Sequence, residues 1–282
     1  MTHEQRYSPD EFASEARHLE TLAWEALSVT VGSNVLVCGY GGSGQLVARA
    51  IEAGASVTVI EHRDEVIRRF ASLPARLLRG STSVIPAQEN AFDLAIAAHY
   101  LHEIDPFFHA QVVSELGRVA RRIAVIEPAP PSDPLGERIA LLYSQAKREF
   151  GQFEYYQPIE YWKKLLQAVK AEVSQHVFAF AKMPPREYLT DTIDLLLDTM
   201  AAEETPRDYL LELRRIAEGS DLQLLPPARY VLQGAALGEL PKPAFSPRSQ
   251  PADPEPTAEV PVGVASAAPP APWSWAPPEK HA

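Results

Sequence analysis

The chain has 282 residues, enough for one large core or one core with a smaller appendage. Its 37 acidic side chains outnumber the 26 lysines and arginines, giving a formal charge of −11. This excludes a general affinity for nucleic-acid phosphates, which requires a dense basic face. The single cysteine, Cys38, excludes an internal disulfide. No apolar stretch is long enough to span a bilayer, and the N-terminus lacks a signal-peptide layout, so the expected location is the cytoplasm.

In chain order, Ser8-Pro9-Asp10-Glu11 has a side-chain cap, a proline suited to the first turn and an acid placed to complete a capping box. The helix that starts there shows Phe12, Ala16, Leu19, Ala23 and Leu27 along one stripe. Residues 1–30 therefore read as a covering helix on a main domain spanning 31–240. Within that domain, apolar runs of strand length at 35–38, 57–60, 94–98 and 123–126 alternate with helical spacings. The spacings are Leu46, Val47, Ala50, Ile51; Val66, Ile67, Phe70; and Val112, Val113, Leu116. Alternation of this kind predicts an α/β fold: a Rossmann-like, mostly parallel sheet with helices on both faces.

After the stiff Pro128-Ala129-Pro130-Pro131 turn, Leu135, Ile139, Leu142, Tyr143 and Ala146 predict a long helix. A second helix after Pro158 carries Tyr161, Trp162, Leu165, Leu166 and Val169. Strand-like segments at 172–181 and 228–236 enclose two amphipathic helices, a helical insertion at about 185–220 before the last strand that could serve as a lid or a homodimer surface. From Pro241 the composition turns to proline, alanine and charge, so 241–282 is expected to be a disordered tail. Trp273 and Trp275 in that tail either dock into a partner groove, in a peptide-type contact, or are compositional accidents.

The motif Gly39-Tyr40-Gly41-Gly42-Ser43-Gly44 runs from a strand into a helix, where glycine lets the backbone approach a ligand. Glu61, at the end of the next strand, stands where an acid binds both hydroxyls of a ribose. Turn and acid together predict a nucleoside site. By themselves they fit an NAD-binding protein as well as any other nucleoside binder.

The segment Phe92-Asp93-Leu94-Ala95-Ile96-Ala97-Ala98-His99-Tyr100-Leu101-His102-Glu103-Ile104, with Asn90-Ala91 before it, resembles the fourth-strand region of class I methyltransferases. The resemblance continues through Glu115-Leu116-Gly117-Arg118-Val119, Glu127-Pro128 and Tyr161-Trp162-Lys163-Lys164-Leu165-Leu166. It spans roughly 35–181 and looks closest to the small-molecule, quinone-biosynthesis-like branch. It implies a seven-stranded sheet and S-adenosylmethionine as cofactor. Gly39, Tyr40, Gly41, Gly42 and Ser43 would face the amino acid half, Glu61 the ribose, and His62 the adenine, with Ala97, Ala98 and His99 beside the transferring methyl. Acids found in many relatives are replaced here by Val37 and by Ser81 or Thr82, whose hydroxyls remain potential adenine partners.

Methyl transfer from a sulfonium needs mainly alignment. If the acceptor must lose a proton, His99 or His102 is a candidate base. His99-x-x-His102-Glu103 lacks the spacing of a His-Glu-x-x-His helix and has no cysteine partner nearby, so no metal is expected. Tyr155, Tyr156 and Trp162 would close an apolar pocket for a small-molecule methyl acceptor, with core packing the simpler role for Trp162. The leading expectation is a methyltransferase. The alternatives are a non-catalytic methyltransferase-like binding or scaffold protein, and an NAD-linked oxidoreductase.

Overall fold

A computed structural model describes residues 6–38, 45–62, 67–68, 74–202, 206–219 and 223–238. The glycine motif from Gly39 to Gly44, Val66 and Phe70 of one expected crossover helix, and the tail with Trp273 and Trp275 lie outside the described residues.

Helix α1 (Pro9–Ala26) begins as its cap predicts. Ser8 Oγ accepts the N–H of Glu11 at 3.3 Å, and the Glu11 carboxylate accepts the N–H of Ser8 at 2.8 Å. The stripe Phe12, Ala16, Leu19 and Ala23 is buried. Its lower end packs with Leu27 onto Val35, Val37, Val57, Leu94 and Ile96 of the sheet. Ser8→Ala removes the capping oxygen and is expected to lower stability by about 1 kcal/mol, read as a drop of about 2–4 °C in Tm.

The strands are β1 (Asn34–Cys38), β2 (Ser56–Glu61), β3 (Arg76–Arg79), β4 (Phe92–Ala98), β5 (Ala120–Pro128), β6 (Glu172–Phe178) and β7 (Arg229–Ala235). They form one seven-stranded sheet in the order β3-β2-β1-β4-β5-β7-β6. All pairs from β3 to β5 are parallel, and β7 runs antiparallel to both β5 and β6. Strand β3 has no counterpart among the expected apolar runs. Its sequence is Arg-Leu-Leu-Arg at a sheet edge, with both leucines only partly buried, so it presents too little apolar surface to stand out.

Alternating side chains serve two layers, as the pleat requires. Leu36, Cys38, Ile60, Ala95 and Ala97 face one core with α3 (His109–Val119) and α5 (Ile159–Val169). Val35, Val37, Val59, Ile96 and Ala98 face the other, with α1 and α2 (Gln45–Glu52). Val37 therefore has a packing role: it is buried among apolar neighbours where relatives of the resemblance carry an acid.

A third, smaller core joins α4 (Pro134–Glu149) to α6 (Tyr188–Ala202) and α7 (Arg207–Ala217) through Ile139, Tyr143, Ala146, Ile193, Leu196, Met200, Leu213 and Ile216. Helices α6 and α7 are the expected insertion. Because β7 opposes β5 and β6, the β6–β7 excursion leaves and returns at the edge where β4 and β5 end, and Phe178 and Arg229 are paired across its base. No described helix is long and apolar enough to cross a membrane.

Candidate active site

Strand order reverses between β1 and β4, with β2 and β3 on one side and β5 on the other. Open α/β sheets bind ligands outside the carboxyl ends of the strands at such a point. Glu61 ends β2 and is 2% exposed, with one oxygen accepting the N–H of His62 at 2.8 Å. The His62 ring lies outward, its Nδ1 3.2 Å from Glu61 Oε1. Ala97 and Ala98 close β4 with small buried side chains. Beyond β3, the Ser81 and Ser83 hydroxyls pair at 2.7 Å, and the buried Thr82 hydroxyl meets that of Tyr100 at 2.9 Å. Burial, set against the Thr82 hydrogen bond, pushes the Tyr100 phenol well above its usual range.

His99 follows β4 with φ of 49°, in the left-handed region that few non-glycine residues adopt, and donates its N–H to the Ile126 carbonyl at 2.8 Å. Its ring is held well below the usual histidine pKa by desolvation and then by Arg229 and His102 nearby. His99 is therefore neutral at pH 7. The next turn, Leu101–Glu103, is a short 3-10 helix whose leading N–H groups need acceptors. Glu127 at the end of β5 supplies them: Oε1 accepts from Tyr100 N at 2.9 Å and from Leu101 N at 2.7 Å. Its other oxygen accepts from His102 Nδ1 at 2.5 Å.

His102 is 1% exposed, with Nε2 3.6 Å from Glu154 Oε1. Burial opposes the imidazolium, but Glu127 and Glu154 outweigh it and raise His102 to about 10. Glu154 is itself pushed up to about 7 by desolvation, against the pull of His102. Tyr156 donates its hydroxyl to Glu154 and stacks on the His102 ring at 5.2 Å between centroids. Burial and Glu154 raise the Tyr156 phenol well above its usual range. The loop is tied to the 3-10 turn by Tyr155 N donating to the His102 carbonyl at 2.8 Å, while the Tyr155 hydroxyl accepts from Arg148.

The structure thus brings His99, His102, Tyr155 and Tyr156 to one end of the sheet, with Glu61, His62, Ser81, Thr82 and Ala98 along the same carboxyl edge. Trp162 stands apart. It is 1% exposed in the core between α3 and α5, against His109 at 4.6 Å and Tyr161 at 5.0 Å between ring centroids.

Sequence reasoning assigned no role to Glu127, Glu154 or Arg229. Glu127 carried the signal that revealed Glu61, an acid ending an apolar strand, and could have been found the same way. Glu154 sits in a loop without periodicity. Arg229 opens β7, buried, with Nη1 4.0 Å from Glu20, and desolvation lowers it to about 10.

No protein-family model matches the chain, and no curated protein matches it. Solved structures do. A candidate methyltransferase of an antibiotic-biosynthesis pathway from Anabaena variabilis superposes with a TM-score of 0.53 at 15% identity, over 77% of this chain and 96% of its own. A candidate sarcosine dimethylglycine methyltransferase from Galdieria sulphuraria gives 0.53 at 15%, over 83% of this chain and 92% of its own. The [4+2]-cyclase SpnF gives 0.51 at 14%, over 84% and 89%. With β7 turned antiparallel between β5 and β6, and methyltransferase structures superposing over most of its length, this chain has the fold of the class I methyltransferases.

Proposed function

We propose that the protein binds S-adenosylmethionine and transfers its methyl group to a small organic acceptor. The observation that carries this reading is the buried Glu61 at the carboxyl end of β2, beside the point where strand order reverses. A carboxylate only accepts hydrogen bonds, so its chemistry fits a vicinal diol that donates two. The bound cofactor supplies a methyl group already activated on a sulfonium.

The chain's residues then bind and orient. In this reading Glu61 takes the ribose hydroxyls, Gly39, Tyr40, Gly41, Gly42 and Ser43 face the amino acid half, and His62, Ser81 and Thr82 border the adenine. Ala98 leaves room near the reacting carbon. The two histidines divide by charge: His99 is neutral and able to accept a proton from the acceptor, whereas His102 is held as a cation by its carboxylates. Tyr155 and Tyr156 border the acceptor. The cytoplasm remains the proposed location, and α6 and α7 the proposed lid or dimer surface.

The NAD-linked alternative is disfavoured by the sheet, since the usual dinucleotide order is 3-2-1-4-5-6 in parallel and here β7 is antiparallel. A second reading, a binding protein or an enzyme of other chemistry on this fold, is favoured by one observation: Val37 is committed to the core where an acid would hold the cofactor ammonium. Calorimetry separates these. S-adenosylhomocysteine is expected to bind the wild type, and Glu61→Gln to weaken it about ten- to a hundredfold, for about 1.5–3 kcal/mol of charged hydrogen bonding. Binding of NADH alone would overturn methyl transfer; binding of neither would favour the second reading.

A further inference from the structure

We propose that His102, Glu154 and Glu103 form a site for one first-row divalent metal ion. One donor atom from each of the three lies within 4.8 Å of the others. The expectation of no metal weighed a single segment of chain; folding brings in Glu154 from a distant loop.

The geometry at His102 carries the inference. Its Nδ1 faces Glu127, an acceptor, so Nδ1 bears hydrogen. Its Nε2 is buried, makes no hydrogen bond, and points at Glu154 Oε1 from 3.6 Å, too far for a hydrogen bond. The proton that Nε2 carries in the metal-free imidazolium faces that carboxylate, and a divalent ion that displaces it would lie between the nitrogen and the oxygen. Two ligands each about 2.1 Å from a tetrahedral ion stand about 3.4 Å apart, so the observed gap is close to what a metal would span.

Both buried ligands are also held by further hydrogen bonds, as metal ligands commonly are. Glu127 fixes the His102 ring and is itself held by the backbone N–H groups of Tyr100 and Leu101. Tyr156 donates to Glu154. Glu103 is exposed and supplies the third donor atom of the cluster. One imidazole with two carboxylates suits Mn²⁺, Fe²⁺, Co²⁺ or Zn²⁺. The site stands independently of methyl transfer.

The full chain, stripped with EDTA, is titrated with MnCl2 while free Mn²⁺ is followed by electron paramagnetic resonance, with no cofactor present. One site per chain is expected, weakened at least about tenfold in Glu103→Gln and Glu154→Gln, and unchanged in Glu89→Gln, an exposed acid outside the cluster. Circular dichroism confirms that each variant is folded. Should Glu154→Gln misfold, the exposed Glu103→Gln decides alone. Absence of stoichiometric Mn²⁺ binding by the wild type, or equal affinity in wild type and folded Glu103→Gln, overturns the site.

Discussion

Replacing Glu127 with alanine is expected to cost about 3–5 kcal/mol of folding stability, the usual penalty for removing one partner of a buried ion pair. The carboxylate is 1% exposed and takes three donors: the backbone N–H groups of Tyr100 and Leu101 and Nδ1 of His102. Alanine strands all three away from water. Glu127→Gln is expected to cost less, about 1–3 kcal/mol. One side-chain oxygen can still serve the backbone pair, while the amide N–H conflicts with Nδ1–H unless the ring gives up that proton. Urea unfolding of both variants measures the difference. A Glu127→Ala protein within 1 kcal/mol of wild type would mean that the network is not formed in solution.

Trp162→Ala is the second large effect, about 3–5 kcal/mol for an aromatic truncated in a packed core. The consequence reaches the site through His109, which packs against Trp162. His109 Nε2 donates to the carbonyls of Leu101 and Ile104, at 2.9 and 3.0 Å, while Nδ1 accepts from the Tyr161 hydroxyl at 3.0 Å. The ring thus pins the turn that carries His102 and Glu103. Loss of Trp162 is expected to release that turn, seen as faster amide hydrogen exchange over 101–104. Trp162→Phe keeps an aromatic contact and is expected to lose clearly less of both. Wild-type exchange rates in a folded Trp162→Ala protein would show that the core and the turn are uncoupled.

What could be read from sequence follows the range of the interactions. Ser8 and Glu11 are three positions apart, so their cap was legible, as were the apolar runs that become β1, β2, β4 and β5. Strand β3 was not, because Arg76 and Arg79 flank only two leucines. At the site, Glu61 could be recognised from its distance to the glycine motif, and the histidines from the segment that follows β4. The partners that set their charge come from elsewhere: Glu127 from β5, Glu154 from the loop before α5, and Arg229 from the start of β7. None of these is near His99 or His102 in sequence, and only the topology brings them together. Tyr156 was legible as a candidate pocket aromatic, but its hydrogen bond to Glu154 was not.

The pairing of Phe178 with Arg229 has a consequence for how such a protein can change. The excursion carrying α6 and α7 starts and finishes on the two sides of one rung of the β6–β7 ladder, so its two ends are already held together whatever lies between them. Doubling the length of a loop closed in this way costs only about 0.6 kcal/mol. Helices α6 and α7 are in effect a cassette, replaceable without altering the register of the strands that carry Glu61 and Glu127.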